Sequence, residues 1–547
     1  MSFEWANDAA RQVVERGGLQ EGETLESRYW DMAVELGKYM GDGSIATRFY
    51  DYMGKGYYSI ATPVLANFGR ETGLPISCNN SYIGDDVASM LYKAAEIGMM
   101  TKHGAGTSAY FGDVRARGEP IKGGGKADGC YLPAKLIQTS VTGISQGSVR
   151  RGNAAVYQDA DSPDIDEFLY FREEGSDIQD LSLGVCISDD FMNGVRTGDK
   201  KRQETWRKII RKRFESGYPY VVFSDTVNRN APDVYKAQGR VINGSNLCAE
   251  IALSSTHDES FVCDLSSMNA LHYDEWKETD AVELLVYFLD AIMEEYIIKT
   301  EGMPFMEHAR NFAIRQRAIG VGILGYHSYL QSKMVPFESF VAKGLNVAIA
   351  KEIKEKAMQA SVYLAEKFGE PEMLVGYGRR NVTLMAIAPT TTSSFVLGQV
   401  SPSIEPLRSN YFTKDLAKGK FTYRNPYLEQ VLEAYGKNDR DTWRSILETD
   451  GSVQHLDWLT QLERDVFKTF SEISPLEVIQ QAAARQKHID QSQSLNLLID
   501  PKTPLKDVNA LMFEAWELGV KSLYYQRGTN PAQEAAKNIM ECSACES

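Results

Sequence analysis

Apolar positions along the chain follow two rhythms. In LESRYWDMAVELGKYM, residues 25–40, Leu25, Trp30, Met32, Val34, Leu36 and Met40 recur at a loosely helical spacing, and residues 1–70 as a whole read as helical. From about residue 75 to 400 the pattern alternates. Short β-like runs such as GYPYVVFSD lie between helical runs such as AVELLVYFLDAIMEEYIIK, which predicts an α/β body. Residues 408–495 are charged and read mostly as helix, a small insertion, and the chain closes on a polar tail. The divisions expected are a helical region over 1–72, a body over 73–535 carrying the insertion, and a tail over 536–547. GVGILG, residues 320–325, fits G-x-G-x-x-G. The residues before it, NFAIRQRA, are charged and no βαβ unit surrounds it, so close packing of a helix against a neighbour is expected rather than a dinucleotide site.

Composition narrows the classes. The chain has 547 residues, 43% hydrophobic and 24% charged, as expected of a globular protein with a large core. Its net charge of −15 disfavours binding to a phosphate backbone, although a local arginine pocket can still hold a small anion. No run of about 18 apolar residues predicts a membrane span. The N-terminus, MSFEWANDAARQVVERGG, has no apolar core of a secretory signal, and a cytoplasmic protein is expected.

Seven cysteines in such a chain do not make a disulfide scaffold. Cys248 sits in SNLCAEIALSS between Asn246 and Glu250. On a strand the three would spread over about 13 Å, whereas a curled loop would gather amide, thiol and carboxylate around one ligand. A buried cysteine beside two surface polar residues is the plainer alternative. Cys78 and Cys263, each followed by polar residues, are either unrelated buried thiols or a pair brought together by the fold. Cys542 and Cys545 form a C-x-x-C near the chain end. With no second such pair and no histidine nearby, a redox dithiol is favoured over a zinc site. The adjacent Tyr524 and Tyr525 would ordinarily pack on opposite faces of a strand. The hydroxyl run Thr390–Ser394 after Pro389 suits either an anion site at a helix N-terminus or simple capping. None of the seven histidines has a glutamate three residues before it, so the chain carries no Glu-x-x-His pair of a di-iron bundle.

Taken in order, SIATPVLAN, SCNNSYIGDD, VRARGEPIKGG, SQGSVRRGNAA, SNLCAEIALSS, VCDLSSMNAL, RAIGVGILG, PTTTSS, SPSIEP, LYYQRGTN and the terminal C-x-x-C resemble the large, catalytic subunit of class I ribonucleotide reductase over about residues 50–547. The resemblance implies a ten-stranded α/β barrel with the cysteine loop through its centre. It implies that Cys248 is the thiyl-radical cysteine, Glu250 the general base, Asn246 a ribose ligand, and Cys78 with Cys263 the reducing dithiol, re-reduced by Cys542 and Cys545. Tyr524 and Tyr525 would relay the radical. Substrate phosphates would lie against Thr62, Ser77, Pro389, Thr390, Thr391, Thr392 and Ser393. A nucleoside triphosphate effector would contact Asp85 and Arg115, with Gln146 and Arg150 linking the two sites.

The implied partners are a radical-generating small subunit, thioredoxin or glutaredoxin, the ribonucleotide and its effector, and a second copy in a homodimer, with no cofactor or metal bound by this chain. Only about 50 residues precede SIATPVLAN, so the family's N-terminal ATP-binding module is expected to be absent, as in compact viral forms. Two other readings stand beside this one: an adenosylcobalamin-dependent reductase in which the tyrosines are structural, and an inactive nucleotide-binding paralogue.

Overall fold

The computed structural model describes residues 3–76, 78–144, 152–416 and 419–528, so Ser77, Gln146, Arg150, Cys542 and Cys545 lie outside the described residues. Three helices open the chain, Asp8–Gly17, Leu25–Met40 and Gly43–Gly54. Each begins where a polar side chain, Asn7, Thr24 or Asp42, accepts from an otherwise orphaned backbone N–H of the first turn. The second helix has the limits its apolar spacing predicts and buries Met32, Ala33, Leu36 and Met40.

The centre is a curled sheet. Strands β1 (Tyr58–Ile60), β2 (Cys78–Tyr82), β3 (Thr107–Tyr110), β4 (Ala154–Asp159), β5 (Leu181–Ile187), β6 (Tyr220–Phe223), β7 (Phe261–Asn269) and β8 (Ile319–Leu324) supply most of it. β2 to β6 run parallel in chain order, with helices in the crossovers, as parallel pairing requires. β7 is long enough to pair antiparallel with both β2 and β1 and parallel with β8. A hairpin of β9 (Tyr411–Leu416) and β10 (Gly419–Arg424) stands apart. Near the C-terminus come β11 (Leu497–Leu498), β12 (Ser522–Leu523) and β13 (Gln526–Arg527). β12 joins β6, and β13 pairs with β11.

Single bridges, Ile387 to Gln493 and Met385 to Val321, carry the curl back toward β8. Among the described residues the main sheet has nine regular strands, beside the ten expected. Residues 385–387 and 493 contribute isolated bridges rather than ladders.

GVGILG corrects an expectation. It is not a helix contact but the body of β8, with every residue of Ile319–Leu324 buried. A Cβ on Gly320 would collide with Leu265, and one on Gly322 would meet Ser267 at 2.5 Å. The glycines let β8 approach β7 and the 385–387 segment closely. Within the 408–495 stretch, Leu428, Leu432, Trp443, Ile446, Val466 and Phe467 make a small hydrophobic core separate from the main one.

The N-terminal helices are tied to the sheet through one buried carboxylate. Asp290, on helix Ala281–Lys299, accepts from Arg317 Nε (2.8 Å), Arg380 Nε (2.8 Å), Asn381 Nδ2 (3.1 Å) and Tyr39 Oη (2.6 Å). Burial alone would push Asp290 up, but the two guanidinium groups outweigh it and hold the acid at about 2. Asp290→Ala removes the buried counter-charge shared by Arg317 and Arg380 and leaves them the partly exposed Glu294. A loss of about 3–5 kcal/mol is expected, read as a fall in the urea midpoint.

Candidate active site

Residues 244–255 form an irregular segment that runs through the curl of the sheet, and side chains from strands around it hold its backbone. Asn80 Nδ2 (3.2 Å) on β2 and Ser108 Oγ (2.7 Å) on β3 donate to the Ser245 carbonyl. Tyr157 Oη on β4 donates to the Asn246 carbonyl at 2.6 Å. From the C-terminal segments, Ser494 Oγ donates to the Cys248 carbonyl (2.5 Å) and Ser522 Oγ to the Ala249 carbonyl (2.7 Å). The Ser492 backbone N–H donates to the Glu250 carbonyl at 2.8 Å. The apolar residues after Glu250 are explained by this placement: Ile251, Ala252 and Leu253 fill the interior and are buried. Ala249 sits at φ +63°, a left-handed bend between Cys248 and Glu250 that a regular strand would not have.

The bend gathers the three polar groups. Asn246 Oδ1 accepts from the backbone N–H of Glu250 (3.1 Å) and of Ile251 (3.2 Å), so a ligand would meet its NH2 end. Asn246, Cys248 and Glu250 line one cleft together with Cys78, Thr62 and residues 388–393. Glu250 is buried, and that burial pushes its carboxyl up to about 7 against the opposing hydrogen bonds from its own backbone, Asn246 and Ser494. Ser494 Oγ lies 3.0 Å from its Oε2. A carboxylate so poised can take a proton at neutral pH.

Cys78 and Cys263 face each other directly across the antiparallel β2–β7 ladder, and both are present as thiols. Facing Cα atoms in such a ladder stand about 4.5–5.5 Å apart, within the span a disulfide bridges. Cys78 is half-buried on the cleft, whereas Cys263 is fully buried. Burial, reinforced by Asp264, pushes the Cys263 thiol well up, and a hydrogen bond from Gln491 opposes the shift.

Tyr524 and Tyr525 do not take opposite faces of a strand. They lie between β12 and β13 with ring centroids 4.3 Å apart. Two further tyrosines join them. Tyr220 lies 4.7 Å from Tyr524 and 5.1 Å from Tyr525, and the Tyr218 and Tyr525 hydroxyls are 2.9 Å apart. The cluster connects to the cysteine loop over a short path. The Tyr524 N–H donates to the Leu495 carbonyl, next to the Ser494 that holds Cys248 and Glu250.

The hydroxyl run lines the cleft beside Thr62. Thr390, at φ +51°, precedes helix Thr391–Val396, and Thr62 opens helix Thr62–Asn67. Asp85 and Arg115 are not at the cleft. They pair with each other (2.8 Å) just before helix Val87–Lys102, so the structure puts them in a separate place. Among the described residues, Cys130, Asp164 and Glu167 bring potential metal donors within 4.8 Å of one another. Their carboxylates already accept from Arg117 and from the Cys130 backbone.

Sequence reasoning missed Gln491, Ser494, Tyr157, Tyr218 and Tyr220. No motif spacing points to the first three. Within GYPYVVFSD the two tyrosines read only as strand residues, although an aromatic pair with one residue between is a signal for a cluster.

Comparison with known proteins gives the family of the chain. The family described as "Ribonucleotide reductase, barrel domain" matches residues 76–203, 197–373 and 371–526. A relative from Frog virus 3 (isolate Goorha) is 35% identical over 559 residues, covering 96% of this chain and 96% of its own. The ribonucleoside-diphosphate reductase large subunit of Invertebrate iridescent virus 3 is 33% identical, over 89% of this chain and 88% of its own. The solved structure of the Actinobacillus ureae class Id ribonucleotide reductase alpha subunit superposes with a TM-score of 0.93 at 48% identity, covering 98% of this chain and 99% of that one. The chain belongs to the ribonucleotide reductase family, as a large, catalytic subunit of the class I type.

Proposed function

We propose that the groups around the cleft divide the reduction of a ribonucleoside diphosphate among themselves as follows. Cys248, oxidised to a thiyl radical, takes the hydrogen atom from C3′. Glu250 takes the proton of the 3′-hydroxyl, a role that suits a carboxyl held near neutrality by burial. Asn246 holds the ribose hydroxyls through its NH2. The 2′-hydroxyl leaves as water with a proton from the Cys78–Cys263 dithiol, which supplies two electrons and ends as a disulfide. Cys248 then returns the hydrogen to C3′ and is a thiyl again.

The observation that carries this reading is the direct opposition of Cys78 and Cys263, with Cys78 on the same cleft as Cys248 and Glu250. Thr62 and Thr390–Ser393, with Pro389, line the same cleft, and their hydroxyls and backbone N–H groups suit the substrate phosphates. Ser77 belongs to the same proposal by its motif.

Tyr524 and Tyr525 carry the oxidising equivalent from a separate small subunit to Cys248. Their close rings and the short connection through Leu495 and Ser494 support this role. Cys542 and Cys545 re-reduce the active-site disulfide and are themselves reduced by a thioredoxin or glutaredoxin. Asp85 and Arg115, with Gln146 and Arg150, take a nucleoside triphosphate effector away from the cleft. Val87 and Leu91 are 62% and 54% exposed on the helix that follows Asp85, an apolar face suited to an effector-promoted homodimer.

The test is deoxyribonucleoside diphosphate formation by the purified chain, alone, with adenosylcobalamin, and with its candidate small subunit. Product is expected only in the third case. Turnover with adenosylcobalamin and no second protein would remove the tyrosine relay from the proposal. Sedimentation of the same sample with and without effector tests the dimer.

A further inference from the structure

Cys78 and Cys263 are equivalent in covalent chemistry but not in surroundings. Cys78 opens onto the cleft, whereas Cys263 is fully buried and is not among the cleft residues. Gln491, itself fully buried, spans the space behind Cys263. Its Nε2 donates to Cys263 Sγ (3.4 Å) and to the Ile319 carbonyl (3.0 Å), while its Oε1 accepts from the Ala252 backbone N–H (3.2 Å). One amide therefore bridges the radical-cysteine loop and the buried half of the dithiol. The residue is held rigidly in turn. Its carbonyl accepts from Lys521 Nζ (2.9 Å) and Gln486 Nε2 (3.0 Å), and its N–H donates to the Met385 carbonyl (3.1 Å).

As a thiol, Cys263 can donate to the Asp264 carbonyl at 3.7 Å. As a thiolate it has no proton to donate there, and the Gln491 N–H is the group positioned to stabilise the charge. Thiol–disulfide exchange needs an accessible sulfur to attack, which Cys78 offers and the buried Cys263 does not. Burial and Asp264 disfavour a thiolate on Cys263, and the Gln491 N–H is the contact that offsets this cost.

We propose that re-reduction of the Cys78–Cys263 disulfide has a fixed direction, in which the incoming thiolate attacks Cys78 and Cys263 departs as a thiolate stabilised by Gln491. The inference rests on the reading of these cysteines as the reducing pair. The attacking thiolate forms a bond to Cys78 Sγ. The Cys78–Cys263 bond breaks, and its electron pair leaves on Cys263 Sγ, which takes up a proton. A second thiolate then displaces Cys78 from the mixed disulfide, so two thiols are oxidised for each disulfide reduced. Gln491 is a positioning residue, because it touches the leaving sulfur and not the substrate.

The experiment uses the full chain with Cys542→Ser and Cys545→Ser, so that added glutathione is the sole thiol reductant. The protein is oxidised with diamide, exposed briefly to glutathione, quenched in acid, blocked with N-ethylmaleimide and mapped by mass spectrometry. Glutathione on Cys78 with maleimide on Cys263 is expected. The reverse labelling, or an even split, overturns the proposed direction. Failure of diamide to join Cys78 to Cys263 overturns the underlying reading of the pair, a result distinct from wrong labelling.

Gln491→Leu is expected to slow glutathione reduction about 10-fold, the scale of a hydrogen bond to a charged group. Maleimide labelling of Cys78 in the reduced variant should keep the unsubstituted rate, which separates an effect on the leaving sulfur from loss of the fold. An unchanged reduction rate in Gln491→Leu overturns the role of Gln491. Should that variant not fold, the labelling pattern of the chain with native Gln491 still decides the direction.

Discussion

Cys248→Ser is expected to abolish deoxynucleotide formation while leaving nucleotide binding intact. The substitution is nearly isosteric, and the backbone of residue 248 stays anchored because the Ser494 contact is to its carbonyl. What disappears is the sulfur that can hold a radical and exchange a hydrogen atom with C3′. A hydroxyl at that position binds its hydrogen too strongly to be oxidised by a tyrosyl relay. The loss should be on the order of 10⁴-fold or more, the scale found when the group that carries the chemistry is removed. Equilibrium dialysis with substrate and with effector, beside a product assay with the small subunit, checks both halves. Turnover within tenfold of the unsubstituted enzyme would show that another group starts the reaction.

The second large effect concerns Glu250 and pH. Its carboxyl is pushed up to about 7 by burial, so the basic form that the proposed role requires becomes dominant only above that pH. kcat/KM should therefore rise with pH through about 7. Glu250→Gln should lose that limb, with activity down roughly 10²–10⁴-fold. Stability should move the opposite way. A carboxyl whose folded pKa lies above its unfolded value contributes fully below the unfolded value, and that contribution is lost as pH rises through about 7. Glu250→Gln removes a group that is costly to ionise in place, and should raise stability by roughly 3 kcal/mol at pH 8 while remaining nearly neutral at pH 4. A pH–rate profile and urea unfolding at two pH values test the pair. A variant that lost activity and also lost stability at pH 8 would mean that Glu250 holds the loop together rather than serving as its base.

The two effects share one cause. The loop from Ser245 to Ser255 is polar where it meets the cleft and apolar where it enters the interior, and strands around it clamp its carbonyls. Burial that would only destabilise an ordinary surface glutamate here sets its acidity near the working pH. On the proposed role of Glu250, activity comes at a cost in stability, as at many active sites.

How much of this could be read in advance differs from element to element. Helices Leu25–Met40 and Ala281–Lys299 are visible in their apolar spacing, because each buries one face or more over several turns. GVGILG does not declare itself as a strand, because a short apolar run has no period of its own. Its glycines serve a close approach of strands that becomes evident only beside Leu265, Ser267 and Ala386. Tyr524 and Tyr525 violate the alternation expected of a strand, since β12 ends before them and β13 begins after them. Gln491 and Ser494 carry no motif at all. Their importance comes from where their hydrogen bonds land.

The order of motifs in the chain was sufficient to identify the family, the loop around Cys248 and the residue types available for radical and acid–base chemistry, because those depend on local chemistry and spacing. Only the tertiary structure decided that Cys78 and Cys263 occupy facing positions of one ladder, and which of their sulfurs meets the cleft. It also decided how far burial shifts Glu250. Those properties depend on register, desolvation and distance between segments remote in the chain, and no local pattern encodes them.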